Sequence, residues 1–128
     1  MRFRAAKATF EDVVADMVEI NPHLTREGLM EDVGEVDPDD ASRVKGDVHW
    51  YDKGIAVLPE SIGSLTVGRH LGLNNNNLAT LPESFGSLTV GGRLRLGYND
   101  LATLPENFGS LTVGGGLDLG NNNLAELP

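Results

Sequence analysis

The sequence predicts an α/β repeat solenoid: short parallel strands on one face, turns and short helical segments on the other, and a helical segment in front. Three observations carry this. Leu71, Leu94 and Leu117 stand 23 residues apart, and Leu73, Leu96 and Leu119 keep the same step. Asn76, Asn99 and Asn122 recur at that interval, as do Leu81, Leu104 and Leu127, each followed by proline. Residues 71–93 return at 94–116 with six changes. A fixed period between about 20 and 50 residues signals stacked units, each burying its apolar face against its neighbours.

Residues 1–47 carry no repeat and are expected to form a helical N-terminal cap, because a repeat stack exposes an apolar cross-section at its ends. Thr9 and Asp12 have capping-box spacing, and Phe10, Val13, Val14 and Met17 follow helical periodicity, with Ile20 near the same stripe. Asn21-Pro22 ends that helix. Thr25 is placed to cap a second helix from Arg26 to Val33, with Leu24 and Leu29 as the staple across the cap. Asp37-Pro38-Asp39-Asp40 reads as a third, very short helix start. The same aspartates fail as a calcium loop, since the positions needing Gly and Glu hold Ser42 and Val48.

Residues 48–128 hold the repeats: a diverged unit at 48–70, two complete units at 71–93 and 94–116, and a partial unit at 117–128. Val48 and Trp50 take the leucine slots of the first unit, and Lys53 stands where later units have Asn. Within a unit, two leucines at period two point to one face of a short strand. The Gly-, Asn- and Asp-rich positions that follow turn the chain. Asn76, Asn99 and Asn122 form a structural ladder, their amides directed inward to satisfy backbone groups freed by the turn. Pro82 fixes the far side, from which Phe85, Leu88 and Val90 fill the core.

The pattern L-x-L-x-x-N-x-L resembles the leucine-rich repeat family, and the L-P-E-S-F/I-G-S-L back segment is similar to its 23-residue intracellular class. One departure is systematic. The family's first leucine is replaced by Gly68, Gly91 and Gly114, each preceded by a valine, the LTVGG variety. Val67, Val90 and Val113 are expected to fill the slot, with the glycine pair allowing an unusual turn into the strand. The resemblance implies a parallel sheet on a concave face, whose outward strand positions bind a protein partner. Those positions include His49, Tyr51, His70, Asn74, Arg93, Arg95, Tyr98 and Asp118.

The two complete units support that choice internally. Five of their six differences, at 72/95, 74/97, 75/98, 77/100 and 93/116, lie in or beside the strand. Arg93, Arg95, His70 and Tyr98 form a small basic and aromatic group, and Arg and Tyr are enriched in binding hot spots.

Composition narrows the function. With 10 basic and 19 acidic residues the net charge is −9, which disfavours nucleic acid, whose binding rests on neutralised phosphates. No cysteine is present, so disulfides and thiolate chemistry are excluded. No apolar run approaches the roughly 18 residues of a membrane span, and Glu11 and Asp12 follow Arg2, Arg4 and Lys7 with no apolar leader between. A cytoplasmic location is the default expectation. Two histidines without further ligands at fixed spacing do not make a metal site, no cofactor is implied, and no nucleophile elbow or zinc-protease motif appears.

The expected role is a non-catalytic protein–protein interaction module, part of a larger repeat protein. The alternative is a glycan- or ice-binding surface using a polar ladder, for which Thr66, Thr89 and Thr112 are the candidate column. A final unit left open at Leu117, Leu119, Leu124 and Leu127 is expected to self-associate, fray or continue into further repeats.

Overall fold

The computed structural model describes residues 7–125; Leu127, read above as the last core leucine, lies outside them. The chain is α/β. Two helices, α1 (Phe10–Ile20) and α2 (Arg26–Met30), precede eight two-residue strands: β1 (Arg43–Val44), β2 (Val48–His49), β3 (Thr66–Val67), β4 (Leu71–Gly72), β5 (Thr89–Val90), β6 (Leu94–Arg95), β7 (Thr112–Val113) and β8 (Leu117–Asp118). Short 3-10 helices at Glu60–Ser64, Glu83–Ser87 and Glu106–Ser110 return the chain between repeats. The strands form two parallel sheets, each climbing one repeat per strand. β2-β4-β6-β8, here the leucine sheet, pairs Leu71 with Leu94 and Leu94 with Leu117. β1-β3-β5-β7, the valine sheet, pairs Val67 with Val90 and Val90 with Val113.

The leucine sheet follows the predicted strand positions; the valine sheet was not expected as a sheet. Its signal was present in the recurring Thr-Val pairs, two β-branched residues that suit a pleated strand. The valines do point into the core: Val44, Val67 and Val90 are fully buried, in one cluster with Leu71, Leu73, Leu94 and Leu96.

The glycines after these valines have a different cause from the one expected. None has positive φ, so no unusual turn requires them. They are needed because successive turns touch. A Cβ on Gly68 would stand 2.4 Å from Lys45 O, and one on Gly91 or Gly114 would stand 2.3 Å from the carbonyl oxygen one repeat earlier. Repeated strands lie about 4.8 Å apart, which leaves no room for a methyl group between stacked backbones.

The asparagine ladder is inward, as its spacing implied. Asn76 Oδ1 accepts from Lys53 N and Ile55 N, and Nδ2 donates to Trp50 O and Leu73 O. Asn99 and Asn122 repeat the Nδ2 bonds one and two units on, with Oδ1 accepting from Leu78 N and Leu101 N respectively. Each amide therefore ties its own turn to the preceding unit. Lys53, at the same column in the first unit, also reaches backward: Nζ donates to Gly28 O in α2.

The front of the stack shows how the N-terminal residues meet the first repeat. Thr9 and Asp12 make the reciprocal capping box, and Phe10, Val13, Val14 and Met17 are buried while Ile20 is exposed. Phe10 stacks on Trp50 with ring centroids 5.6 Å apart, and Trp50 Nε1 donates to Leu29 O at 2.8 Å. Asn21 does more than end α1. Its side chain donates to Met17 O and Val57 O and accepts from Ala56 N, clamping the helix end to the back of the first unit.

Two expectations for this region are corrected. α2 stops at Met30 rather than Val33, because residues 32–34 are drawn out to pair with β2: Val33 bridges Val48 antiparallel, with Gly34 N donating to Asp47 O and His49 N to Asp32 O. No helix starts at Pro38. Residues 35–37 pair with β1, Val36 bridging Val44, and Asp37–Asp40 form a turn held by Asp37 Oδ1 accepting from Asp39 N. The free edges of both sheets are thereby paired at this end, the exposure that otherwise invites association.

Candidate functional site

The candidate face is built by the leucine sheet. At each strand the inward leucines fix the register, so the intervening residue and those flanking the strand must point out. After each strand the chain passes through a left-handed residue: Asp52, Asn75, Tyr98 and Asn121, with φ between 54° and 57°. Asp and Asn tolerate this conformation; tyrosine, with a bulky Cβ substituent, does so at a cost.

All eight residues expected on this face come together along two adjoining hollows. The smaller, about 190 Å³, is lined by His49, Tyr51, His70, Gly72, Asn74 and Arg95. The larger, about 570 Å³, includes Asn74, Arg93, Arg95, Tyr98, Leu117 and Asp118. Asn74 and Arg95 line both. His49 and Tyr51 make an edge-to-face contact at 5.8 Å, and Tyr98 is 62 % exposed.

One column was only partly legible. Asp47, His70, Arg93 and Gly116 occupy the same place in successive units, and the first two use their side chains as backbone acceptors. Asp47 Oδ1 accepts from His70 N at 2.8 Å, and His70 Nδ1 accepts from Arg93 N at 2.9 Å. His70, expected as an outward binding residue, lines the smaller hollow and also takes part in the stacking through Nδ1, which leaves the proton of a neutral ring on Nε2. Arg93 has only donors and cannot extend the series to Gly116.

Asp47 is held ionised. The hydrogen bond from His70 N lowers its pKa, opposed by partial burial and assisted by His49, whose Nε2 is 3.4 Å from Oδ2. A carboxyl whose folded pKa lies below its unfolded value, near 3.9, contributes stability above that value and loses it as pH falls through the folded pKa. Asp47→Asn keeps an oxygen for His70 N but cannot titrate. It should flatten the loss of stability below about pH 4, measured as the urea midpoint against pH; an unchanged acid slope would contradict this coupling.

Among the described residues no group of three or more His, Asp or Glu is placed to hold a metal ion, and no helix is long and apolar enough to cross a membrane. The threonine column lies on the valine sheet, where Thr66, Thr89 and Thr112 are in register and Arg43 precedes them. Thr66 and Thr89 are half-buried, and only Thr112 is exposed. Compared with the models of known protein families and with curated proteins, the chain matches none.

Proposed function

We propose that residues 48–128 are leucine-rich repeats of the LTVGG variety capped by residues 1–47, and that the chain is a non-catalytic module, one segment of a larger repeat protein, binding a protein partner on the outward face of the leucine sheet. One observation carries this reading. Of the six positions that differ between the near-identical units, four (72/95, 74/97, 75/98 and 93/116) place a residue in the lining of the two hollows, while the leucine, asparagine and valine columns that hold the stack together repeat unchanged. A partner needs a face whose chemistry differs from rung to rung; a purely structural surface needs no such difference.

The threonine ladder is the weaker reading, because two of its three rungs are half-buried and its line begins at an arginine. A second copy of the chain is also a partner in this reading. Leu117 is 45 % exposed where Leu71 and Leu94 are fully buried, so Leu117→Lys should abolish any concentration-dependent dimer seen by sedimentation.

The test of the main reading is selection of random peptides displayed against the folded chain. Enriched peptides should lose binding to Arg93→Glu/Arg95→Glu and keep it to Thr66→Lys/Thr89→Lys/Thr112→Lys. The reverse pattern, or selection of nothing, would overturn the proposal.

A further inference from the structure

We infer that the larger hollow recognises an acidic peptide segment in extended conformation, with carboxylates two residues apart engaging Arg93 and Arg95. This rests on the interaction-face reading above and specifies the chemistry of its partner.

The first support is the state of the two guanidinium groups. Arg93 and Arg95 flank Leu94 on β6, so both project from the same side of the leucine sheet and both are exposed. Several other cations have partners: Arg26 with Glu11, Arg43 with Asp37, Lys45 with Glu35, Lys53 with a helix carbonyl. Among the described residues, Arg93 and Arg95 have no side-chain hydrogen bond or ion pair; Arg69, which lines neither hollow, has none either. A carboxylate is near at hand, since Asp118 faces Arg95 across the β6–β8 register. Its Oδ1 is instead turned to accept from Gly120 N at 2.9 Å. Two donor forks are thus left facing outward, and guanidinium suits bidentate carboxylate better than any other anion-binding side chain.

The second support is Tyr98. It occupies the left-handed position that Asp52, Asn75 and Asn121 fill elsewhere in the chain. Strain of this kind at an exposed aromatic is informative when the same fold shows the relaxed alternative one repeat away. Tyr98 lines the hollow with both arginines, where its ring can cover the apolar stem of a bound side chain.

Spacing selects an extended ligand. Alternate residues of a strand lie about 6.8 Å apart, the separation of Arg93 and Arg95 and also of the two acidic side chains in a Glu-x-Glu segment. A polyphosphate is disfavoured because the net charge of −9 repels a long polyanion.

The experiment compares a fluorescent nine-residue peptide centred on Glu-Leu-Glu with its Gln-Leu-Gln analogue by anisotropy. The proteins are the wild type and Arg95→Gly/Tyr98→Asn. That variant carries only residues the fold already accommodates at Gly72 and Asn75, and its circular dichroism and urea midpoint check folding. The wild type should bind the glutamate peptide about tenfold or more tightly than the glutamine one, lose that preference as salt rises, and lose it in the variant. If an oligonucleotide of equal charge binds as tightly as the glutamate peptide, acidic-peptide recognition is overturned in favour of general anion binding. If the glutamine peptide, or selected peptides without acidic residues, bind at Arg93 and Arg95 equally well, acidic recognition fails while the interaction face stands. If the glutamate peptide does not bind and selection yields nothing for this face, both fail.

Discussion

Asn76→Leu is expected to destabilise the protein by about 3–5 kcal/mol. Leucine matches asparagine in size but returns none of its hydrogen bonds. Lys53 N and Ile55 N have Asn76 Oδ1 as their side-chain acceptor, and Trp50 O receives Nδ2. Each buried backbone group left unpaired costs about 1–3 kcal/mol. The loss should diminish along the ladder. Leu73 O and Leu96 O each receive two ladder amides, so Asn99→Leu orphans mainly Leu78 N. Asn122 is partly exposed, water can replace it, and Asn122→Leu should cost about 1 kcal/mol. Urea denaturation followed by Trp50 fluorescence measures the series. Equal effects at all three positions would show that the amides do not act through the backbone they contact.

Gly86→Ala and Gly109→Ala should differ in sign although they occupy the same column of the 3-10 segments. A Cβ on Gly86 would lie 2.3 Å from Asn107 O, a backbone atom that cannot move without separating two units. Overpacking of this kind costs about 3 kcal/mol. Gly109 meets nothing within 4 Å, its φ is not left-handed, and alanine there restricts the unfolded chain. Gly109→Ala should therefore be neutral or stabilising by about 0.5 kcal/mol. Thermal or urea unfolding of the pair decides it. A large loss at Gly109 would mean that something packs against that segment in solution.

Particular residues show how far the sequence could be read. The phase of the leucines gave the strands of the leucine sheet, because a period of two admits only one inward set. The same phase gave the outward positions that line the hollows. Thr9, Asp12 and Thr25 announced their helix starts because capping is a contact between near neighbours. The end of α2 was not legible. Val33 leaves helical conformation for a partner, Val48, that lies 15 residues away in sequence.

What the sequence by itself determined was everything set by local periodicity: the repeat, the inward leucines and asparagines, and the face on which neighbouring units differ. What only the tertiary structure decided was everything set by contact between units. The second sheet exists because Thr-Val pairs from separate repeats fall in register. The glycines are required because stacked backbones leave no space for Cβ atoms. His70 gives its lone pair to the next repeat, while Arg93, with none to give, leaves its side chain to the hollow. The physical reason is the same throughout: a period fixes where a side chain points, and the neighbouring unit fixes what it meets there.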